Sequence, residues 1–288
     1  MANTISSIKL IECPRDAMQG WNNLIPTPQK IKYINSLLKV GFDTIDFGSF
    51  VSPKAIPQMA DTADVLKGLD LKNCTTKLLA IVANERGAVQ ACGYEQIKYI
   101  GFPFSISPTF QQRNTNSTIE ESFIRVKEIQ ELCKQYRKQL VIYISMGFGN
   151  IYNDKYNNEI VLKWMDEMVN IGVEIISMAD TVGIATPHQI GLLLNQIIPL
   201  YPNTEIGIHL HSTPNDWKSK IDAALQAGCT RFDGALKGIG GCPMAGNNLV
   251  GNMDTELMIP YFKNLNLLKN LNENALLDCS RLANEIFI

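Results

Sequence analysis

The stretch EIGIHLHSTPNDWKSKIDAALQAGCTRFDG, residues 205–234, contains one complete strand–helix–strand unit. A strand-like run, Glu205–His209, precedes an amphipathic stretch, Pro214–Ala227, and a second strand-like run, Arg231–Gly234, follows it. Gly228 stands just after the amphipathic stretch, where a glycine commonly ends a helix. Parallel strands need such a helical crossover. The stretch therefore predicts a parallel sheet covered by helices.

The same alternation extends over almost the whole chain. The predicted strands are Ile8–Glu12, Thr44–Phe47, Leu78–Ala83, Ile97–Phe102, Leu140–Ser145, Glu174–Met178, Glu205–His209 and Arg231–Gly234. The amphipathic stretches are Thr27–Val40, Pro53–Leu66, Glu85–Ala91, Thr118–Lys138, Asn158–Ile171, Thr186–Tyr201 and Pro214–Ala227. Eight such units favour a closed (β/α)8 barrel, the TIM barrel, as a single domain over residues 1–288 with a helical C-terminal extension. An open doubly wound sheet is the alternative, but neither GxGxxG after the first strand nor a P-loop occurs.

Composition narrows the class of protein. Of 288 residues, 45% are hydrophobic, and 26 basic residues against 28 acidic ones give a net charge of -2. This balance argues against nucleic acid or an anionic membrane as the main partner. No apolar stretch approaches the roughly 18 to 20 residues of a membrane span. Seven cysteines are scattered without a CxxC pair, so we expect reduced thiols and a cytoplasmic protein.

Polar residues that can carry chemistry recur where the predicted strands end, which is where the active sites of such barrels lie. They are Arg15, Asp16, Asp46, Ser49, Asn84, Ser105, Asp180, Thr181, His209, His211 and the loop 238–242. The strand interiors are mostly apolar. This distribution favours an enzyme.

The His209-Leu210-His211 segment predicts a metal site. Residues two apart on a strand point to the same face, so both imidazoles can bind one ion. Asp16 follows the first strand. In a closed barrel only the eighth strand lies between the first strand and the seventh, so the Asp16 carboxylate can complete the site. Such ligands suit Mg²⁺ or Mn²⁺. Arg15 is suited to stabilising an oxyanion, although an Arg-Asp pair is more often a structural salt bridge.

Cys242 differs in setting from the other cysteines. Gly238, Gly240, Gly241 and Pro243 place it on a tightly turning loop over the predicted barrel mouth. A thiol presented in this way can act as a proton donor or as a nucleophile. The alternative is an exposed thiol without a function.

Together these segments resemble the hydroxymethylglutaryl-CoA lyases, a metal-dependent branch of the TIM barrels, from Ile8 to Glu256. The matching segments are PRDAMQ at 14–19, SFVSPK at 49–54 with PQM at 57–59, IEESF at 119–123, DTVG at 180–183, HLH at 209–211 and GGCP at 240–243. SFVSPK and GGCP separate lyases from related synthases. The resemblance implies cleavage of 3-hydroxy-3-methylglutaryl-CoA to acetyl-CoA and acetoacetate, as in leucine degradation, by a homodimer.

The resemblance also implies roles for individual residues. The implied metal ligands are Asp16, His209, His211 and Asn252. His209 or Asp16 takes the proton of the substrate hydroxyl, Arg15 stabilises the enolate oxygen, and Cys242 protonates the enolate carbon. Asp46 is expected among the catalytic groups, and the side chains expected to contact the acyl-CoA substrate are Arg15, Gln19, Ser49 and Thr181.

Three features depart from the lyase pattern. Asp46 stands where lyases usually carry Glu, so its carboxylate reaches less far. Ser212 follows the second histidine where Asp is usual, which can weaken the support of the imidazole. The segment 242–252 is one residue longer, which makes Asn247 or Asn248 alternative ligands to Asn252. Substrate specificity is therefore less secure than metal-dependent carbon–carbon cleavage.

Two other functions remain open from the sequence. The first is a lyase or aldolase that acts on a related 3-hydroxyacyl-CoA or a 2-oxo acid with the same scaffold. The second, more remote, is a barrel that binds a metabolite without catalysis. Such a barrel would be expected to lack the ligand set, because the residues of the site rather than the fold decide function. Asp16, His209, His211 and Cys242 are all present.

Overall fold

Strands and helices alternate along the chain in the computed structural model, which describes residues 5–241 and 250–287. The strands are β1 Lys9–Glu12, β2 Thr44–Phe50, β3 Lys77–Val82, β4 Ile97–Ser105, β5 Gln139–Ser145, β6 Ile175–Ala179, β7 Glu205–His209 and β8 Arg231–Gly234. The helices are α1 Pro14–Gln19, α2 Thr27–Leu38, α3 Thr62–Lys67, α4 Glu85–Cys92, α5 Pro108–Thr115, α6 Ile119–Gln135, α7 Asn158–Asn170, α8 Pro187–Leu200, α9 Trp217–Gln226, α10 Thr255–Asn264 and α11 Glu273–Ile286. Short 3₁₀ turns occupy Pro57–Met59 and Leu236–Gly238.

The strands form one closed parallel barrel in chain order. Closure comes from β1 and β8, which pair from Lys9 opposite Arg231 to Glu12 opposite Gly234. The bounds of each strand lie within three residues of the predicted ones, because buried parallel strands appear in the sequence as short apolar runs. The predicted TIM barrel is confirmed.

Two parts of the chain differ from the prediction. The stretch Pro53–Leu66 is not one helix, since it forms the turn Pro57–Met59 and then α3. Proline has no amide hydrogen and its ring clashes with the preceding turn, so it interrupts a helix. The first strand ends at Glu12 as predicted, but the helix α1 that follows it is not among the predicted helices. Arg15 lies in the first turn of α1, where Pro14 starts the helix without losing a hydrogen bond.

Buried side chains fill the interior of the barrel. Leu79, Tyr99, Val141 and Ile175 form part of an inner cluster among the strands. Arg231 is fully buried and its guanidinium bonds the Glu205 carboxylate at 3.1 Å. A cavity is found at the carboxyl ends of the strands, as in other enzymes with this fold.

The predicted helical extension is present as α10 and α11. Helix α11 packs against α2, and the Cys279 thiol donates a hydrogen bond to the Ser36 hydroxyl at 3.2 Å. Within the described parts of the chain, no helix has both the length and the apolar character needed to cross a bilayer.

Candidate active site

A cavity of about 500 Å³ opens at the carboxyl ends of the strands. Its wall includes Arg15, Asp16, Gln19, Asn84, Arg113, Asn114, Asn116, Arg125, Tyr143, Thr181, His209 and His211. Residues from distant parts of the chain meet here because all eight strands point to the same end of the barrel. This volume falls within the range of small-molecule sites.

Arg15 lies between two carboxylates at the edge of the cavity. Its Nε lies 3.2 Å and 3.0 Å from the two oxygens of Asp46, Nη2 lies 2.5 Å from Asp46 Oδ2, and Nη1 donates to Asp16 Oδ1 at 2.8 Å. Burial lowers the pKa of Arg15, but the charges of Asp46 and Asp16 outweigh it and raise this pKa above its ordinary value. The guanidinium is therefore a permanent cation held in one place, and the shorter Asp46 side chain reaches it with both oxygens.

His209 is supported from inside the barrel by a carboxylate on the adjacent strand. Its Nδ1 lies 3.2 Å from Asp233 Oδ2, and Asp233 is buried. Burial alone would lower the pKa of His209, but the hydrogen bond and charge of Asp233 outweigh it and raise this pKa. Because Nδ1 is engaged, Nε2 is the ring nitrogen left for a ligand or a proton.

His211 has a different support. Its Nδ1 lies 2.8 Å from the carbonyl oxygen of Val250, and its backbone forms an antiparallel bridge with Asn252. Burial and the charge of His209 lower the pKa of His211. A neutral imidazole whose Nδ1–H donates to a backbone carbonyl has its Nε2 lone pair free, which is the usual state of a histidine that binds a metal.

Asp16 and Asn252 complete the group. Asn252 Nδ2 donates to Asp16 Oδ2 at 2.7 Å and to the carbonyl of Ile239 at 2.9 Å, while its buried Oδ1 has no hydrogen-bond partner among the described residues. Buried polar atoms without partners are rare and call for an explanation. Burial would raise the pKa of Asp16, but Arg15, His209 and His211 lower it well below its usual range. By donor type, an anionic carboxylate, two imidazoles and an amide oxygen suit a divalent cation.

The ligand atoms predicted from the sequence do not all converge on one point. Among the described residues, the His, Cys, Asp or Glu side chains whose ligand atoms lie within 4.8 Å of one another are Cys13, His209 and Asp233. Burial and the charges of nearby carboxylates raise the pKa of the Cys13 thiol well above its ordinary value. The Asp16 carboxylate is instead engaged by Arg15 and Asn252.

The structure places most of the residues predicted from the sequence in or directly behind this cavity. Gln19 lines it and accepts a hydrogen bond from Arg15 Nη1 at 3.2 Å. Thr181 also lines it, and its hydroxyl accepts the Met146 amide at 2.8 Å. Ser49 does not line it but lines a neighbouring cavity, and no residue in the described part of the chain bonds its hydroxyl. The predicted residues Cys242, Asn247 and Asn248 lie outside the described residues.

Sequence reasoning does not assign three charged residues behind the cavity to the site: Asp180, Lys220 and Asp233. In the sequence, Asp180 is a polar residue at a strand end and the first residue of the matching segment DTVG. Asp233 sits inside a strand, where aspartate is depleted, and Lys220 interrupts the buried stripe of α9 formed with Ile221 and Ala224. A charged residue in a buried pattern signals that a partner exists, but it does not identify the partner.

Known proteins similar to this chain share both sequence and structure with it. The HMGL-like family model matches residues 8–283. The mitochondrial hydroxymethylglutaryl-CoA lyase of Mus musculus is 31% identical over 281 residues, which cover 96% of this chain and 85% of the relative. The hydroxymethylglutaryl-CoA lyase of Bacillus subtilis is 31% identical, with 93% and 89% covered.

The solved structures similar to this chain include HMG-CoA lyases as well. An HMG-CoA lyase from Acinetobacter baumannii, solved with coenzyme A and 3-methylmalate, superposes with a TM-score of 0.90 at 29% identity, covering 100% of this chain and 93% of that one. The Bacillus subtilis HMG-CoA lyase has a TM-score of 0.90 at 30% identity, covering 97% and 93%. The fold, the residues around the cavity and the match over nearly the whole length agree, and the chain therefore belongs to the HMGL-like family.

Proposed function

We propose that the protein is a divalent-metal-dependent lyase that cleaves 3-hydroxy-3-methylglutaryl-CoA into acetyl-CoA and acetoacetate. One observation carries the proposal: Arg15, Asp16, His209 and His211 line a single cavity at the carboxyl end of the barrel. Relatives that match over at least nine tenths of the chain are named for this reaction. The fixed cation and the free imidazole nitrogens suit an enolate-forming cleavage.

Asp16, His211 and Asn252, together with His209, are the residues that would hold the metal. When bound, the cation would act as a Lewis acid that makes the 3-hydroxyl of the substrate easier to deprotonate. The features that suit it are Oδ1 of Asn252 and Nε2 of each histidine, for which the described residues provide no hydrogen bond. Mg²⁺ and Mn²⁺ both match this mixed set of oxygen and nitrogen donors.

The reaction then requires a base, an oxyanion partner and an acid. The base takes the proton of the 3-hydroxyl, a carbonyl forms at C3, and the C2–C3 bond breaks with its electron pair passing to the thioester enolate. Arg15, held in place by Asp46, donates hydrogen bonds to the enolate oxygen. Cys242 returns a proton to the enolate carbon, which yields acetyl-CoA beside acetoacetate.

His209 cannot be a ligand and the base in the same step. Its Nδ1 faces Asp233, so only Nε2 is available. The carboxylate behind the ring stabilises an imidazolium, which favours the role of base. If His209 is a ligand instead, Asp16 is the other candidate base, but the low pKa of Asp16 makes it a weak one.

The outer part of the cavity suits the coenzyme A portion of the substrate. Arg113 and Arg125 line it together with Asn114 and Asn116. Among the described residues of this wall, Asp16 is the one carboxylate. Phosphate groups bind well to arginine, whose planar guanidinium donates two parallel hydrogen bonds. The cationic outer end and the catalytic inner end therefore match the two ends of an acyl-CoA.

An assay of acetoacetate release from 3-hydroxy-3-methylglutaryl-CoA tests the proposal, with Mg²⁺, with Mn²⁺ and with a chelator. We expect release that either metal supports and the chelator abolishes. Parallel reactions with another 3-hydroxyacyl-CoA and a 4-hydroxy-2-oxo acid test the alternative substrates. Metal-dependent cleavage of one of these, without acetoacetate release, would overturn the assigned substrate and leave the lyase chemistry in place.

A further inference from the structure

Lys220 is a buried cation directly behind the proposed metal site. It lies in α9 and is 2% exposed. Its Nζ donates to the carbonyl oxygen of His211 at 2.7 Å and to Asp180 Oδ2 at 3.3 Å, and it lies 3.5 Å from Asp216 Oδ2. Three oxygens thus surround the three donors of one ammonium group. Lysine is almost never buried unless it is paired, and these oxygens are the partners that allow the burial of Lys220.

The partners of Lys220 belong to two strand ends that bear site residues. Asp180 follows β6, and its Oδ1 accepts the amides of Ile184 and Ala185 at 2.9 Å and 3.1 Å, which fixes the loop that carries Thr181. The backbone of His211 follows β7. By bonding both, Lys220 connects the two loops from behind, on the side away from the cavity.

His211 is consequently held at two points. The carbonyl of Val250 orients its ring through Nδ1, and Lys220 holds its own carbonyl. The Ser212 side chain is a neutral hydroxyl, so it provides no charged support. A main-chain carbonyl fixed by an ammonium group restricts the direction in which the Cα–Cβ bond of His211 points.

We propose that Lys220 is a positioning residue, which aims the His211 imidazole at the metal position by holding the His211 carbonyl and the Asp180 carboxylate together. The metal part of this proposal rests on the proposed function, whereas the orientation of the ring does not. Outer groups that orient a ligand typically contribute about 10- to 100-fold in metal affinity. Lys220 itself does not contact the substrate or the metal.

The chain provides a matched control in Lys30. This lysine of α2 is also 2% exposed, and it likewise donates to one backbone carbonyl, that of Gln58, and to one carboxylate, that of Asp61. It does not line the cavity. Lys30→Met therefore removes an equivalent buried ion pair without touching the site.

Two measurements test the role of Lys220. Mn²⁺ affinity is measured by titration calorimetry for the wild type, Lys220→Met, Lys220→Met/Asp180→Asn and Lys30→Met. Histidine-labelled ¹⁵N spectra of the metal-free proteins report the imidazoles, and they are simple because the chain has three histidines. His188→Gln and His211→Gln variants assign the signals. The double variant removes both buried charges, so it keeps the test valid if the single variant does not fold.

We expect about 10- to 100-fold weaker Mn²⁺ binding and shifted His211 signals in both Lys220 variants, and neither change in Lys30→Met. Wild-type affinity and unchanged His211 signals in the Lys220 variants would overturn the proposal, as would loss of folding in both variants while Lys30→Met folds. If the wild type binds no Mn²⁺, the metal site of the proposed function fails, and the His211 signals of the metal-free proteins still decide the role of Lys220.

Discussion

Replacing Glu12 with glutamine should reduce the loss of stability at rising pH: between pH 5 and pH 8, the free energy of unfolding should fall less in Glu12→Gln than in the wild type. Glu12 ends β1 and is fully buried. Its Oε1 accepts the Leu236 amide at 2.8 Å and its Oε2 accepts the Thr255 hydroxyl at 2.7 Å. Burial raises the pKa of Glu12 from 4.5 to about 8, and these two hydrogen bonds offset only part of that effect. At neutral pH the side chain is therefore largely an uncharged acid.

The size of the effect follows from the two pKa values. In the unfolded chain Glu12 releases its proton near pH 4.5, while in the folded chain it keeps the proton up to about pH 8. Between these values the folded state binds more protons, so its contribution to the free energy of unfolding falls by about 1.4 kcal/mol per pH unit. The fall from pH 5 to pH 8 amounts to about 4 kcal/mol. Glutamine carries no titrating proton, so the free energy of unfolding of Glu12→Gln does not include this fall.

Urea unfolding followed by circular dichroism at pH 5, 6, 7, 8 and 9 measures the difference. We expect the free energy of unfolding of Glu12→Gln, minus that of the wild type, to grow by about 4 kcal/mol from pH 5 to pH 8 and then to level off. Glu131→Gln, at an exposed carboxylate of α6, is the control and should keep a nearly constant difference. Parallel curves for Glu12→Gln and the wild type would refute the argument that burial keeps Glu12 protonated.

Five further substitutions test the site. Arg15→Met should lower kcat by about 10²-fold or more, since it removes the partner of the developing oxyanion; a change confined to KM in steady-state assays would contradict this role. Cys242→Ala should nearly abolish turnover while calorimetry finds Mn²⁺ affinity unchanged, and normal turnover would exclude Cys242 as the acid. His211→Ala should weaken Mn²⁺ binding, and His209→Ala should weaken it equally only if His209 is a ligand rather than the base. Arg125→Met should raise KM for the CoA thioester with little change in kcat, and an equal rise for a pantetheine thioester without the nucleotide phosphates would argue against a phosphate contact.

Much of the fold can be predicted because its signals are local. A buried parallel strand is a short apolar run and a covering helix is an amphipathic stretch, so the order of the residues reveals all eight strands. The prediction for Pro53–Leu66 is wrong for a local reason as well, since the prolines interrupt a helix that the amphipathic pattern favours. The helix α1, which carries Asp16, is not predicted, because its 6 residues are too few to show a helical periodicity.

The sequence alone determines that carboxylates, imidazoles and an arginine follow the strands of a barrel, since that depends on which residues come after which run. Contacts between residues far apart in the chain depend on the closed barrel. They include the pairing of His209 with Asp233, the contact of Asp46 with Arg15, and the link from Lys220 to His211 and Asp180. Each is made by a buried charge whose partner is set by strand register and helix packing. Neither register nor packing appears in a local pattern, so only the folded chain identifies those partners.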